Sequence, residues 1–177
     1  MGRSHDKGSL ALPEFRSPPR LLIVTAPYVR DVTDRLVDGA VRMSKAAGAS
    51  HEEIEVPGAL EISPAIHMAS KSGSFDGYVA LGCIMRGETT HYDTVCSESA
   101  RGLTLLGLAG LCIGNGILTV ETMEQALIRA DRLAEDKGGD AAAAAIHLLA
   151  LLQRFGSSPG KVGFRLDEQA PGDEDRG

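Results

Sequence analysis

Apolar positions along this chain fall into blocks that alternate between two periods. Residues 21–26, LLIVTA, form a continuous apolar run of strand length. The segment after it, DVTDRLVDGAVRMSKAAG, carries Val32, Leu36, Val37, Ala40, Val41 and Ser44 at the spacing of one helical face, and Gly48 is placed to end it. HEEIEVPGALEISPAIHMASKSG repeats the plan: a short strand ending at Val56, a Pro57-Gly58 corner, and a helix from about Leu60 to Ser72. GYVALGCIM reads as a third buried strand and TVCSESARGLTLLGLA as a third helix. LCIGNGILTV supplies a fourth strand containing a Gly-Asn-Gly break, and ETMEQALIRADRLA and GDAAAAAIHLLALLQRFG read as two further helices. Four buried strands alternating with helices predict an α/β fold whose parallel sheet is covered on both faces.

The blocks also mark the domain. Residues 1–19 mix charges and prolines without a long apolar block, which predicts a flexible arm and not a secretory signal. Residues 20–156 form one domain, of a size expected for a chain of 177 residues, and the Gly-, Pro- and acid-rich residues 157–177 predict a disordered tail. The longest apolar run, AAAAAIHLLALL, is interrupted by His147 and is shorter than the roughly 20 residues that span a bilayer. A net charge of −6 with pI near 5.3, and no basic stripe, disfavours a nucleic-acid partner. The three cysteines, Cys83, Cys96 and Cys112, make no CxxC pair, and two lie in apolar stretches, so buried thiols in a reducing cytosol are the simplest reading. A soluble cytoplasmic protein without membrane contact is expected.

In a parallel sheet the ligand site lies outside the carboxyl ends of the strands. Three strand ends here are chemically unusual, APYVRD, VPGALE and MRGETTHYD, and the fourth strand adds GNG; all are expected to meet. In RGETTH, Gly87 allows a sharp turn, and Glu88, Thr89 and Thr90 open a helix whose N–H groups and positive dipole end suit an anion such as phosphate. His91 then falls in the first turn, where an imidazole suits proton transfer near neutrality. The hexapeptide alone is equally compatible with a simple helix cap and a solvated histidine. Glu61 either accepts hydrogen bonds from a polyol or amine or merely complements its helix dipole. Tyr28 either stacks on a flat ring or covers the edge of the core. Arg129 either binds phosphate bidentately or pairs with Glu124 or Glu121, and Lys137 is a further cation of interest. His51, His67 and His147 read as structural or surface groups, and no His, Cys or carboxylate pair has metal-ligand spacing.

Together the blocks VPGALEI, ALGCIMRGETTHYDTVCSES, GNGILTVETMEQALIRA and DKGGDAAAAAI resemble the lumazine synthase family in order and spacing, over about residues 21–155. The resemblance implies a flavodoxin-like three-layer α/β/α sandwich that assembles as pentamers or multiples of them, with active sites at subunit interfaces. The implied reaction condenses 5-amino-6-(D-ribitylamino)uracil with 3,4-dihydroxy-2-butanone 4-phosphate to 6,7-dimethyl-8-ribityllumazine, phosphate and water, in riboflavin biosynthesis and without metal or cofactor. Position by position, it implies that Tyr28 stacks on the pyrimidine, that Ala59, Leu60, Glu61, Cys83, Ile84 and Met85 hold the ribityl chain and ring edge, and that Glu88 and Thr89 form the phosphate loop. His91 matches the general acid/base. Arg129 and Lys137 match phosphate-binding cations supplied by the neighbouring subunit, and Asn115 stands where many members place a phenylalanine over the substrate. Met85 also replaces a commoner β-branched residue. Riboflavin synthase of the same pathway is an implied partner. Two other readings are weighed: a lumazine- or flavin-binding paralogue, against which His91 and Arg129 argue, and a flavodoxin-like phosphosugar isomerase, which would need a second acid/base or a thiolate near the phosphate that no residue here supplies.

Overall fold

The apolar run that begins the folded region becomes an inner strand. β1 (Arg20–Thr25) is buried at every residue after Arg20, and it lies between β2 (Ser50–Glu55) and β3 (Gly77–Met85). β4 (Cys112–Val120) adds to the far side of β3, so the order is β2-β1-β3-β4 with every pairing parallel. The computed structural model describes residues 10–156; residues 1–9 of the expected arm and the whole expected tail, 157–177, lie outside the described residues.

Parallel neighbours require crossovers, and the helices supply them on both faces. α1 (Arg30–Ala46), α4 (Met123–Ala130) and α5 (Lys137–Gly156) form one layer, α2 (Ala59–Ser70) and α3 (His91–Leu108) the other. Strand alternation divides the core accordingly. Ile23, Val79 and Leu81 pack with Val32, Leu36 and Ala40 of α1 and with Ala141, Ala142 and Ala145 of α5. Leu22, Val24, Tyr78 and Ala80 point the other way, toward Ile62, Ala65 and Ile66 of α2 and Leu103 of α3. Each fully buried branched aliphatic here contributes about 1.5–3 kcal/mol relative to exposure. α1 ends as its sequence predicts, with Gly48 at φ 70° and the Ala49 N–H reaching back to the Ser44 carbonyl.

Three expectations need correction. The sheet does not consist of four buried strands: β2 is exposed at every residue except the half-buried His51, because it is an edge strand with the sequence SHEEIE. β4 is the other edge and alternates, with Cys112, Gly114, Gly116, Leu118 and Val120 buried and Asn115 and Thr119 exposed. The Gly-Asn-Gly stretch does not break β4, which runs unbroken through it. Its glycines answer a packing demand, since a Cβ on Gly114 would fall 1.7 Å from the Ala141 carbonyl oxygen where α5 crosses the strand. The third helix begins at His91, with Thr90 as its N-cap, so Glu88–Thr90 form the turn before it and not its first residues.

Residues 10–19 carry no helix or strand, yet Phe15 packs on the cluster of Leu21, Cys112, Ile146 and Leu149. Among the described residues, no helix is long and apolar enough to cross a membrane.

Candidate active site

In the order β2-β1-β3-β4 the chain changes direction of progress between β1 and β3, and a crevice opens there at the carboxyl ends of the strands. It is a cavity of about 490 Å³, within the range that holds a small organic ligand. Ala26 and Tyr28 enter from the end of β1, Pro57 to Glu61 from the β2–α2 corner, and Cys83, Ile84 and Met85 from the end of β3. Gly87, Thr89, His91, Tyr92 and Val95 close it from the start of α3. Three strand ends therefore meet as expected. The fourth does not: Asn115 lies opposite Ala80 in the middle of β4, its side-chain oxygen accepts from the Ile117 N–H at 3.0 Å, and it is not part of this chain's cavity wall.

Local sequence explains each placement. Pro57 and Gly58 turn the chain so that α2 starts directly at the cavity, with Gly58 in extended geometry as N-cap and Glu61 in the first turn. Tyr28 rides on a short 3-10 turn, Pro27–Val29, and is 86% exposed, so it covers no core edge and presents its ring to the crevice. Gly87 serves differently from the sharp turn expected of it. Its φ is outside the left-handed region, and an added Cβ would meet nothing within 4 Å; it leaves the wall bare. The N-cap residue Thr90 makes no side-chain cap at the start of α3, and although the Asp93 N–H is taken by the Thr90 carbonyl at 3.1 Å, the positive dipole end remains for an anion. The His91 N–H does donate to Thr89 Oγ1, at a long 3.4 Å.

Burial pushes the Cys83 thiol up, which keeps it protonated as an apolar part of the wall. Partial desolvation, then a hydrogen bond with Cys96, raises Tyr92 above the ordinary phenol range. Glu88 is exposed beside the cavity without lining it. Arg129 and Lys137 lie elsewhere on the chain, both drawn to Glu135, at 3.6 Å and 3.9 Å, and Lys137 also reaches Asp140 at 3.1 Å. The pairing of Arg129 is thus with Glu135 and not with Glu121 or Glu124. Among the described residues no three His, Cys, Asp or Glu side chains are grouped to hold a metal.

Sequence reasoning assigns no individual role to Ala26, Tyr92 or Val95, which the structure adds to the wall. Val95 stands one helical turn after His91, so extending the helical period from the histidine would have found it.

Fold and crevice define an α/β protein with a small-molecule-sized cavity at the switch point of a parallel sheet. The family model for 6,7-dimethyl-8-ribityllumazine synthase matches residues 18–153, so the chain belongs to that family. It is 48% identical over 161 residues to the 6,7-dimethyl-8-ribityllumazine synthase of Jannaschia sp. (strain CCS1), covering 91% of this chain and 90% of that one. It is 55% identical to the protein of the same name from Sphingopyxis alaskensis, covering 77% and 96%, and 53% identical to that of Erythrobacter litoralis, covering 78% and 99%.

Proposed function

We propose that the chain is an enzyme of riboflavin biosynthesis that condenses 5-amino-6-(D-ribitylamino)uracil with 3,4-dihydroxy-2-butanone 4-phosphate, giving 6,7-dimethyl-8-ribityllumazine, phosphate and water. The observation that carries this reading is the convergence in one crevice of an exposed aromatic ring, a helix-start carboxylate and the N-terminus of α3, with Thr89 in the turn before it and His91 at its first residue. Tyr28 offers its face to the pyrimidine. Glu61 and the Ala59-Leu60 backbone take the hydroxyls of the ribityl chain, and Cys83, Ile84 and Met85 bound the ring edge. Thr89 and the first turn of α3 hold the phosphate. Glu88 contributes backbone only, because its carboxylate repels a phosphate.

Condensing an amine with a ketone moves a proton from nitrogen to oxygen before water leaves, and phosphate departs as a neighbouring carbon loses a proton. His91, beside Thr89, is placed to accept and return such protons. Amine and ketone are intrinsically reactive, so much of the acceleration comes from holding them together. The assay is turnover of the two substrates, followed by lumazine absorbance or fluorescence. Growth of that signal only with both substrates supports the reading; product or flavin binding without turnover makes the chain a binder.

Arg129, Lys137 and Asn115 act on a neighbouring subunit's crevice in a homo-oligomer built of pentamers. Supporting this, Arg129 and Lys137 converge on one carboxylate away from their own chain's cavity, and Leu105 and Leu108 of α3 stand exposed. If so, His91→Ala and Arg129→Ala chains refolded together restore about a quarter of the sites by random mixing in a ring; no recovery above the average of the two alone would mean that both residues serve one pocket within one chain, or that the subunits do not mix. The reaction is placed in the cytoplasm, a reducing compartment that suits the free thiols of Cys83, Cys96 and Cys112.

A further inference from the structure

Arg86 is the first residue after β3, and it joins three separate parts of the molecule. Its backbone N–H donates to the Val120 carbonyl at 3.0 Å, adding one rung beyond the last β3–β4 pair, Met85 with Val120. Its Nε donates to Glu121 Oε1 at 2.9 Å, just past the end of β4. Its Nη1 donates to Asp93 Oδ1 at 3.4 Å, and the guanidinium carbon lies 4.1 Å from the centre of the Tyr92 ring, both in the first turn of α3. One side chain thus ties the edge strand to the helix that carries His91.

The span it closes has little else to order it. Residues 86–90 contain no helix or strand, α3 has no side-chain cap, and the His91–Thr89 hydrogen bond is long. Tyr92 is both the ring under the guanidinium and part of the cavity wall, so a shift of Arg86 moves that wall directly. Arg86 is also poorly suited to bind the anion itself. Two of its donors face carboxylates and its planar face is against an aromatic ring, a combination of forked hydrogen bonding and stacking that lysine cannot reproduce.

We propose that Arg86 is a positioning residue: by clamping the first turn of α3 to Glu121 at the end of β4, it sets the His91 imidazole and the Thr89 hydroxyl in register with the crevice. The proposal rests on the reading of His91 as the proton carrier. A misplacement of about 1 Å at such a group costs on the order of 10²-fold in rate, which fixes the expected size of the effect.

The test compares Arg86→Ala and Arg86→Lys in the full-length assembled protein with Arg101→Ala, which removes a guanidinium from an α3 ion pair, with Glu98, that spans no second element. Hydrogen–deuterium exchange by peptide reports residues 87–95, and steady-state kinetics report kcat and KM. Arg86→Ala is expected to exchange faster at 87–95 with β3 and α5 unchanged, and to lose on the order of 10²-fold in kcat while KM for the uracil substrate stays within about twofold. Arg86→Lys should recover part of the kcat, and Arg101→Ala should resemble wild type in both readouts. Unchanged exchange at 87–95 in Arg86→Ala, an unchanged kcat, or faster exchange spread evenly over the chain would each overturn the proposal. A wild-type protein without turnover would defeat the functional reading instead, and the exchange measurement would still decide whether Arg86 orders the turn.

Discussion

On one face of the sheet α5 buries seven of its twenty residues, while on the other α3, eighteen residues long, buries only Ser99 and Leu103. The α5 side is a close-packed layer built on small residues. A Cβ on Gly138 would lie 1.9 Å from the Leu36 carbonyl oxygen of α1, and Gly114 admits α5 against β4 in the same way. Backbone meets backbone there, with no flexible side chain to give way. The α3 side keeps Leu105 and Leu108 in the open, at 54% and 83% exposure, and holds the start of the helix over the crevice. One layer fixes the sheet; the other leaves a crevice and two exposed leucines, which on the proposed function face substrate and a neighbouring subunit. Changes in the first should cost stability, and changes in the second should cost catalysis or assembly.

The sharpest way to break this contrast is Gly138→Ala. Overpacking against backbone, which cannot adopt another rotamer, should cost about 3 kcal/mol or more, the top of the usual range, or prevent folding altogether. Urea denaturation close to that of wild type would show the α1–α5 contact to be deformable. Next in size is His91→Ala, expected to lower turnover about 10²-fold, the lower end for a general acid/base, with the thermal midpoint unchanged. A fully active variant would remove the chemistry from this layer. Leu108→Ser should leave each subunit folded but weaken assembly by about 2 kcal/mol, the value of burying one leucine, seen in sedimentation as smaller species at low protein concentration. Unaltered assembly would leave that leucine outside any interface.

The smallest effect concerns pH and belongs to the close-packed layer. Burial raises the thiols of Cys83 and Cys112 above their ordinary value of 9.0. The folded state therefore holds protons that the unfolded state releases. Stability is fully present below about pH 9 and declines as pH rises from there toward the folded values. Thermal midpoints measured from pH 8 upward should fall, and Cys83→Ala with Cys112→Ala should flatten the decline.

The central strands were legible in the sequence because β1 and β3, covered on both faces, must be apolar at successive residues. The edges were less so. SHEEIE carried its exposure openly in its glutamates, but alternation of strands with helices led to a buried assignment for all four strands. The glycines of β4 were misread for a different reason: their cause is α5, whose crossing residue Ala141 lies 27 positions beyond Gly114, and no local rule reports such an approach. In the site, strand-end position singles out Tyr28, Glu61, Thr89 and His91, and all four line the crevice, but position alone leaves a core edge, a dipole charge, a helix cap and a solvated histidine open as readings of them. Arg86 was visible as a charge, but its partner Glu121 is 35 residues away and is brought to it only by the β3–β4 pairing.

The exposed edge, β2, has a consequence for how separate chains meet. An unpaired strand edge is a template for fibrous aggregation, and natural proteins guard such edges with charge. Glu52, Glu53 and Glu55 put three carboxylates on this one, Glu52 paired with Arg20 and Glu55 with Arg30, so a second strand laid along the edge would have to desolvate a row of charged groups. The Arg30 guanidinium hydrogen-bonded to Glu55 holds that carboxyl below the ordinary glutamate range, so it keeps its charge further into acid than an unpaired glutamate would. Protection of the edge is thus written into the strand that contributes least to the core, and at Glu55 it persists further into acid than an unpaired carboxylate would allow.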